Sequence, residues 1–216
     1  MANPEKDFFL KNVTIILSPQ EKSDKIYHIT DKLDAWGVQW KKLYAPYHLK
    51  QGDYTFQIQG KDYRDEFLIE RKFGVEELYA CLTDKNIETK SKTELCEERL
   101  RDNLEYEFAR MKQIGVKEKW LFIENCRSFE SIKFWKSGYE RKNCTHGSII
   151  YSTLSSWACG NRYDFKIECI PSNQDTAIVM LSRMYYYWRN DMKLKYGKNF
   201  LTQVKRNGVE TSQLSQ

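Results

Sequence analysis

Residues 52–72 read GDYTFQIQGKDYRDEFLIERK, and the fold follows from how that stretch pairs with itself. Tyr54 to Gln59 alternates apolar and polar side chains, the pattern of a half-buried strand. Gly60 and Asp62 tolerate turn conformations. Phe67-Leu68-Ile69 then opens a second strand that runs into Glu70-Arg71-Lys72. A two-residue loop at Lys61-Asp62 sets Phe56 against Phe67 and Tyr54 against Ile69, so the apolar face closes on itself. The same register sets Asp53 against Glu70. Directly opposed residues of an antiparallel pair have Cβ atoms roughly 5 Å apart. Two carboxylates that close repel each other unless a cation lies between them or one of them holds a proton. Alternation puts Lys72 on the face of Glu70 and Arg71 on the other. Asp53 and Glu70 are therefore candidate ligands of a divalent metal with Lys72 beside it, and hard oxygen donors favour Mg²⁺ or Mn²⁺ over zinc. Taken singly, Gly-Asp is ordinary turn chemistry and Glu-Arg-Lys an ordinary strand edge; the shared register is what couples them.

Working outward, Val13 to Leu17 reads as a strand and Ser23 to Trp36 as a helix, with Ile26, Ile29, Leu33 and Trp36 at helical spacing. Gly37 ends that helix, and Val38 to Leu43 forms a further strand. Beyond Lys72, the stripe Val75, Leu78, Tyr79 and Leu82 predicts a helix that buries one face and projects Glu76 back toward the carboxylates. A longer helix is expected over Lys92 to Ile114, with Leu100, Leu104, Phe108 and Met111 on one face. Trp120 to Glu124 has the continuous apolar character of a buried central strand. Short helices over Phe129–Lys136 and Gly147–Ala158 and a strand over Lys166–Ile170 follow.

The closing helix, Asp175 to Lys193, carries Ile178, Leu181, Tyr185, Trp188 and Met192 in one stripe and Met180, Met184 and Tyr187 around it. So broad an apolar coat suits a helix packed on the sheet and on a second subunit, although a well-buried core helix has the same pattern. Strands alternating with helices predict an α/β domain with a central mixed sheet flanked by helices. The expected division is an N-terminal extension over 1–11, a single domain over 12–200 and a polar tail over 201–216.

At 216 residues the chain is long enough to bury a full core. With 35 Lys and Arg against 30 Asp and Glu it is modestly basic, which is compatible with nucleic acid without requiring it. Six cysteines show no Cys-x-x-Cys spacing and read as reduced core residues. His28, His48 and His146 make no ligand pair at helical spacing and read as structural or surface residues. No apolar run approaches the ~20 residues of a membrane span, and the charged start lacks a signal-peptide core. A cytoplasmic protein is expected.

Gly52-Asp53, then Glu70-Arg71-Lys72, then three residues and Glu76, resembles the signature of the XPF-type (xeroderma pigmentosum group F-like) nuclease domain family, with Glu76 where the family has Asp. The chain looks like one of its small stand-alone bacterial or phage members, and the likeness extends more weakly from about Val13 to Asn190. The resemblance implies a restriction-endonuclease-like core and a Mg²⁺- or Mn²⁺-dependent endonuclease acting on branched, forked or Holliday-junction DNA. Asp53, Glu70 and Lys72 would be catalytic, and Asp53, Glu70, Glu76 and Glu21 would hold the metal. It also implies a homodimer through the C-terminal helix. Arg71 would brace the fold through an internal carboxylate. One position departs from the pattern: the first strand usually ends Asp-x-Arg-Glu, whereas here it ends Ser18-Pro19-Gln20-Glu21, keeping only Glu21. A catalytically silent DNA-binding or scaffolding protein on the same fold is the alternative, and an accessory protein that anneals or protects single strands is a third reading. Two basic and aromatic stretches offer DNA contacts: Lys41, Lys42 and Lys50 before Gly52, and Lys136, Arg141 and Lys142 later. Neither carries a base-reading signature, so shape recognition is expected.

Overall fold

The computed structural model describes residues 3–46, 48–49, 51–83, 104–136, 146–159 and 162–205. Val13–Leu17 (β1) is a β-branched, largely buried run, one strand in from the edge of the sheet. It pairs in parallel with Gln39–Lys42 (β2) and antiparallel with Tyr54–Ile58 (β3). β3 pairs antiparallel with Lys61–Asp62 (β4) and with Phe67–Lys72 (β5). β5 runs parallel to Glu118–Glu124 (β6), and β6 parallel to Lys166–Ile170 (β7). The seven-stranded sheet is therefore mixed, with the order β2-β1-β3-β5-β6-β7 and β4 appended to β3.

Strand alternation divides the core into two layers. Ile15, Leu17, Phe67, Ile69, Trp120 and Phe122 face one side, where they meet helices Pro4–Asn12 (α1), Ser23–Ala35 (α2) and Thr176–Tyr196. Ile16, Leu68, Leu121 and Ile123 face the other, against Val75–Thr83 (α3), Leu104–Gln113 (α4) and His146–Cys159 (α5). Thr176–Tyr196 is α6 in chain order. The result is the expected α/β architecture, a mixed sheet flanked by helices.

The hairpin keeps its main register but reverses earlier than the sequence suggested. Tyr54 pairs with Ile69, and the Phe56 and Phe67 rings meet edge-on at 5.6 Å. The two-residue turn, however, is Gln59-Gly60, both at positive φ (48° and 80°), and it is followed by the pairs Ile58–Lys61 and Gln57–Asp62. Positive φ at both central residues is what a tight hairpin turn requires, and Gly60 supplies one of them without strain. The residues between Asp62 and Phe67 then form a second small turn that returns the chain to the β3–β5 register.

Residues 1–11, read as an extension, include α1, started by Asn3 as N-cap with Pro4 in the first turn. Its Phe9 is fully buried against Phe56, Tyr185 and Trp188. Residues 200–205 are also helical, with Phe200 and Val204 in the core. In α6, Leu181, Tyr185, Trp188 and Met192 are buried as expected, whereas Ile178 is 53% exposed. Met180 and Met184 take the inward positions instead. The first twelve residues of the helix expected over 92–114, residues 92–103, lie outside the described residues; its C-terminal part is α4.

Candidate active site

Everything at the site is set by which face of β5 a side chain takes. Glu70 and Lys72 share the face of Leu68, toward α3 and α4, while Arg71 shares the face of Phe67 and Ile69. Asp53, one residue before β3, is held by backbone bonds on three sides. Its N–H donates to the Ile69 carbonyl (2.7 Å), its carbonyl accepts from the Ser18 N–H (2.8 Å), and its Oδ2 accepts from the Arg71 N–H (2.7 Å). Gly52 makes this approach possible: it sits at φ +70°, and a Cβ there would come within 3.2 Å of both the Ile69 carbonyl oxygen and Met111 Cε.

Asp53, Glu70 and Lys72 come together in a cleft of about 540 Å³. The Lys72 ammonium donates to Glu70 Oε1 at 2.7 Å, both side chains being mostly buried. Burial, then the charges of Glu70 and Glu21, push the Asp53 carboxyl well above its ordinary range, against Lys72 and the Arg71 N–H. Burial disfavours the Lys72 ammonium, but Glu70 and Asp53 outweigh it and hold the group charged. Among the described residues, the cleft is thus short of positive charge at the point where its carboxylates meet.

Glu107, from α4, is a third carboxylate on the wall that the sequence reading did not single out. Burial and the Glu70 charge push it up to about 8, against Lys72, Arg110 and a backbone hydrogen bond from Gly52. The apolar stripe of α4 was legible, but nothing local shows which of its charged residues flank that stripe inside the cleft. Two residues of the cleft lining, His48 and Gln51, each carry a buried side-chain atom, Nδ1 and Oε1, without a hydrogen-bond partner.

The other carboxylates are placed differently from one another. Glu77, not Glu76, lines this cleft, and its Oε2 accepts from the Phe73 N–H at 2.7 Å. Glu76 lines a separate cavity with Tyr27, Phe73 and Asn125. Glu21 lies behind the strand, bonded to Arg71 Nη2 at 2.8 Å. Arg71 also donates through Nη1 to Glu124 (2.9 Å) and through Nε to the Tyr54 hydroxyl (3.2 Å). Glu124, wholly buried, meets His28 Nε2 at 2.9 Å and accepts from the Thr176 hydroxyl. Burial opposes its charge, but His28 and Arg71 keep it below the usual carboxylate range.

The basic residues considered for DNA are spread out. Lys42 on β2 donates to the Glu21 carbonyl and Ser23, and Lys41 lines a shallow cavity at that sheet edge. Lys136 is exposed just past the 3-10 helix Glu130–Phe134 and lines a cavity with Lys133 and Phe134. Lys50, Arg141 and Lys142 lie outside the described residues.

Among the described residues, no three His, Cys, Asp or Glu side chains converge closely enough to cage a metal. Asp53 and Glu70 nonetheless fit a hard, hydrated cation, because Mg²⁺-type ions are held by one or two carboxylates and keep several waters for the substrate to displace. No helix among the described residues is long and apolar enough to cross a membrane.

No protein-family model and no curated protein matches the chain. Among solved structures it is similar to XPF from Aeropyrum pernix, 13% identical, over 88% of this chain and 73% of that one, with a TM-score of 0.47. It is also similar to XPF from Aeropyrum pernix in complex with DNA, 12% identical, over 82% of this chain and 66% of that one, with a TM-score of 0.46.

Proposed function

We propose that this chain is a metal-dependent DNA endonuclease with an XPF-type, restriction-endonuclease-like core, cutting phosphodiester bonds in branched, forked or Holliday-junction DNA. The observation that carries the reading is the convergence of Asp53, Glu70 and Lys72 in one cleft, from a motif that resembles that family's signature. Held by Asp53 and Glu70, Mg²⁺ or Mn²⁺ would supply a water of lowered pKa and Lewis-acid stabilisation of the scissile phosphate. The chain's own residues set the geometry. Backbone bonds on three sides fix Asp53, so its free oxygen needs no reorganisation on binding. Glu70 orients the Lys72 ammonium, which positions the attacking water or offsets charge developing on phosphorus. Arg71 keeps the strand in place from behind through Glu21 and Glu124.

The test is cleavage of forked, nicked and Holliday-junction DNA by the purified protein with Mn²⁺. Asp53→Ala and Lys72→Ala should each lose activity by about 10²- to 10³-fold, the loss typical of removing one preorganised charge-stabilising group. If both cut as fast as the wild type, the assignment is wrong. A silent DNA-binding protein is favoured by a different observation: Ser18, on the cleft lining, stands where the family carries an acid. Calorimetry with Mn²⁺ separates the two readings, since binding that disappears in Glu70→Gln is foreign to a silent protein. Dimerisation through α6 belongs to the same proposal, with exposed Ile178 and Tyr186 as the surface to alter before measuring molar mass by light scattering.

A further inference from the structure

We infer that Arg110 binds a backbone phosphate of the DNA next to the one that is cut. The inference rests on the nuclease reading and adds the contact that draws an anionic strand into an acidic cleft. Asp53, Glu70, Glu77 and Glu107 all line that cleft, and among the described residues its lining cations are Lys72 and Arg110. Lys72 is committed to Glu70. Arg110 is not committed in this way: among the described residues no carboxylate lies within ion-pair range of its guanidinium. What holds it is Tyr106, one turn earlier on α4, whose ring lies 5.4 Å from the guanidinium carbon and whose hydroxyl accepts from Nη1 at 3.2 Å. A guanidinium carries five N–H donors in a planar fork, so most of its donors remain for an anion, and the fork matches two phosphate oxygens. Stacking on a ring fixes its orientation before any ligand arrives.

A second observation also points to a polar ligand in this cleft. Gln51 is only 4% exposed, yet its Oε1 has no hydrogen-bond partner, and His48 Nδ1 beside it on the lining has none either. Buried polar atoms are almost always paired. Two residues with orphaned buried atoms, on the lining that Arg110 shares, mark a place where a strand with phosphates, sugars and base edges would supply partners. Glu107 lies three residues before Arg110 and so on the same face of α4.

The experiment measures binding of a fluorescein-labelled forked DNA by anisotropy across about 50 to 200 mM KCl, in Ca²⁺, for the full chain and for Arg110→Gln. The expected result is weaker binding in the variant and a salt slope shallower by about 0.9, the loss of one phosphate contact. An unchanged slope in a variant that melts like the wild type overturns the inference. If Arg110→Gln melts early, Arg110→Met, which keeps the stem over the Tyr106 ring, carries the same readout. The nuclease reading is scored separately, on cleavage by Asp53→Ala in Mn²⁺. A normal slope in Arg110→Gln with dead Asp53→Ala removes only the Arg110 contact. A reduced slope with active Asp53→Ala removes only the catalytic assignment.

Discussion

Glu70 and Arg71 are neighbours in β5, yet they enter environments of opposite character. In front of the strand, Glu70 shares a cleft with Asp53, Glu77 and Glu107, and among the described residues the cations there are fewer than the carboxylates. Behind it, Arg71 is matched by Glu21 and Glu124, and Glu124 in turn by His28 and Thr176. Behind the strand both carboxylates and the guanidinium have hydrogen-bond partners, as buried ions need. Among the described residues the front is left with carboxylates in excess, at the place where the proposed cation and phosphodiester would enter. Strand alternation is what keeps the two apart while one backbone serves both: the Arg71 N–H holds Asp53 in front while its guanidinium is tied behind.

The largest effect should come from the back. Arg71→Ala strands Glu21 as a buried, uncompensated charge and leaves Glu124 with His28 and Thr176 alone, and should lower stability by about 3–5 kcal/mol in denaturant unfolding. A loss below about 1 kcal/mol would mean the network is not a brace. In front, Asp53→Asn should abolish most cleavage while leaving stability equal to the wild type or higher, because it removes one of several crowded like charges. If it unfolds the protein as readily as Arg71→Ala does, the contrast between the two faces collapses.

The pH dependence follows from the same asymmetry. Glu107 is raised to about 8 in the fold, so the folded state holds its proton where the unfolded chain has released it. Its contribution to stability is complete below the ordinary carboxyl value of about 4.3 and is lost as pH rises through about 8. Asp53 shifts in the same direction. The melting temperature in EDTA should fall over that range, and Glu107→Gln should flatten the fall. A melting temperature that rises with pH would contradict the placement of Glu107. The smallest effect belongs to Glu76→Gln, which alters a residue of the neighbouring cavity and should change cleavage by no more than roughly twofold.

Much of this was legible because it is local or periodic. Val13–Leu17 and Lys166–Ile170 announce themselves as strands, and the apolar pairing of Tyr54 with Ile69 sets Asp53 beside Glu70. The turn was misplaced because Gln59 takes a positive φ that its side chain does not advertise. α1 was overlooked although Asn3 and Pro4 are helix-start residues, since its one core side chain, Phe9, is justified only by distant partners. Glu77 and Glu76 are adjacent on the first turn of α3, and the direction of that helix, which no spacing within it reveals, decides which one faces the cleft. Glu107 and Arg110 arrive from a helix more than thirty residues beyond Lys72, a placement that depends on tertiary packing.

The most direct test is anomalous diffraction from crystals soaked in Mn²⁺. A peak within coordination distance of the Asp53 and Glu70 carboxylates, lost in Glu70→Gln, is the predicted result. Crystals that diffract well and show manganese elsewhere, or only at Glu76, would contradict the account.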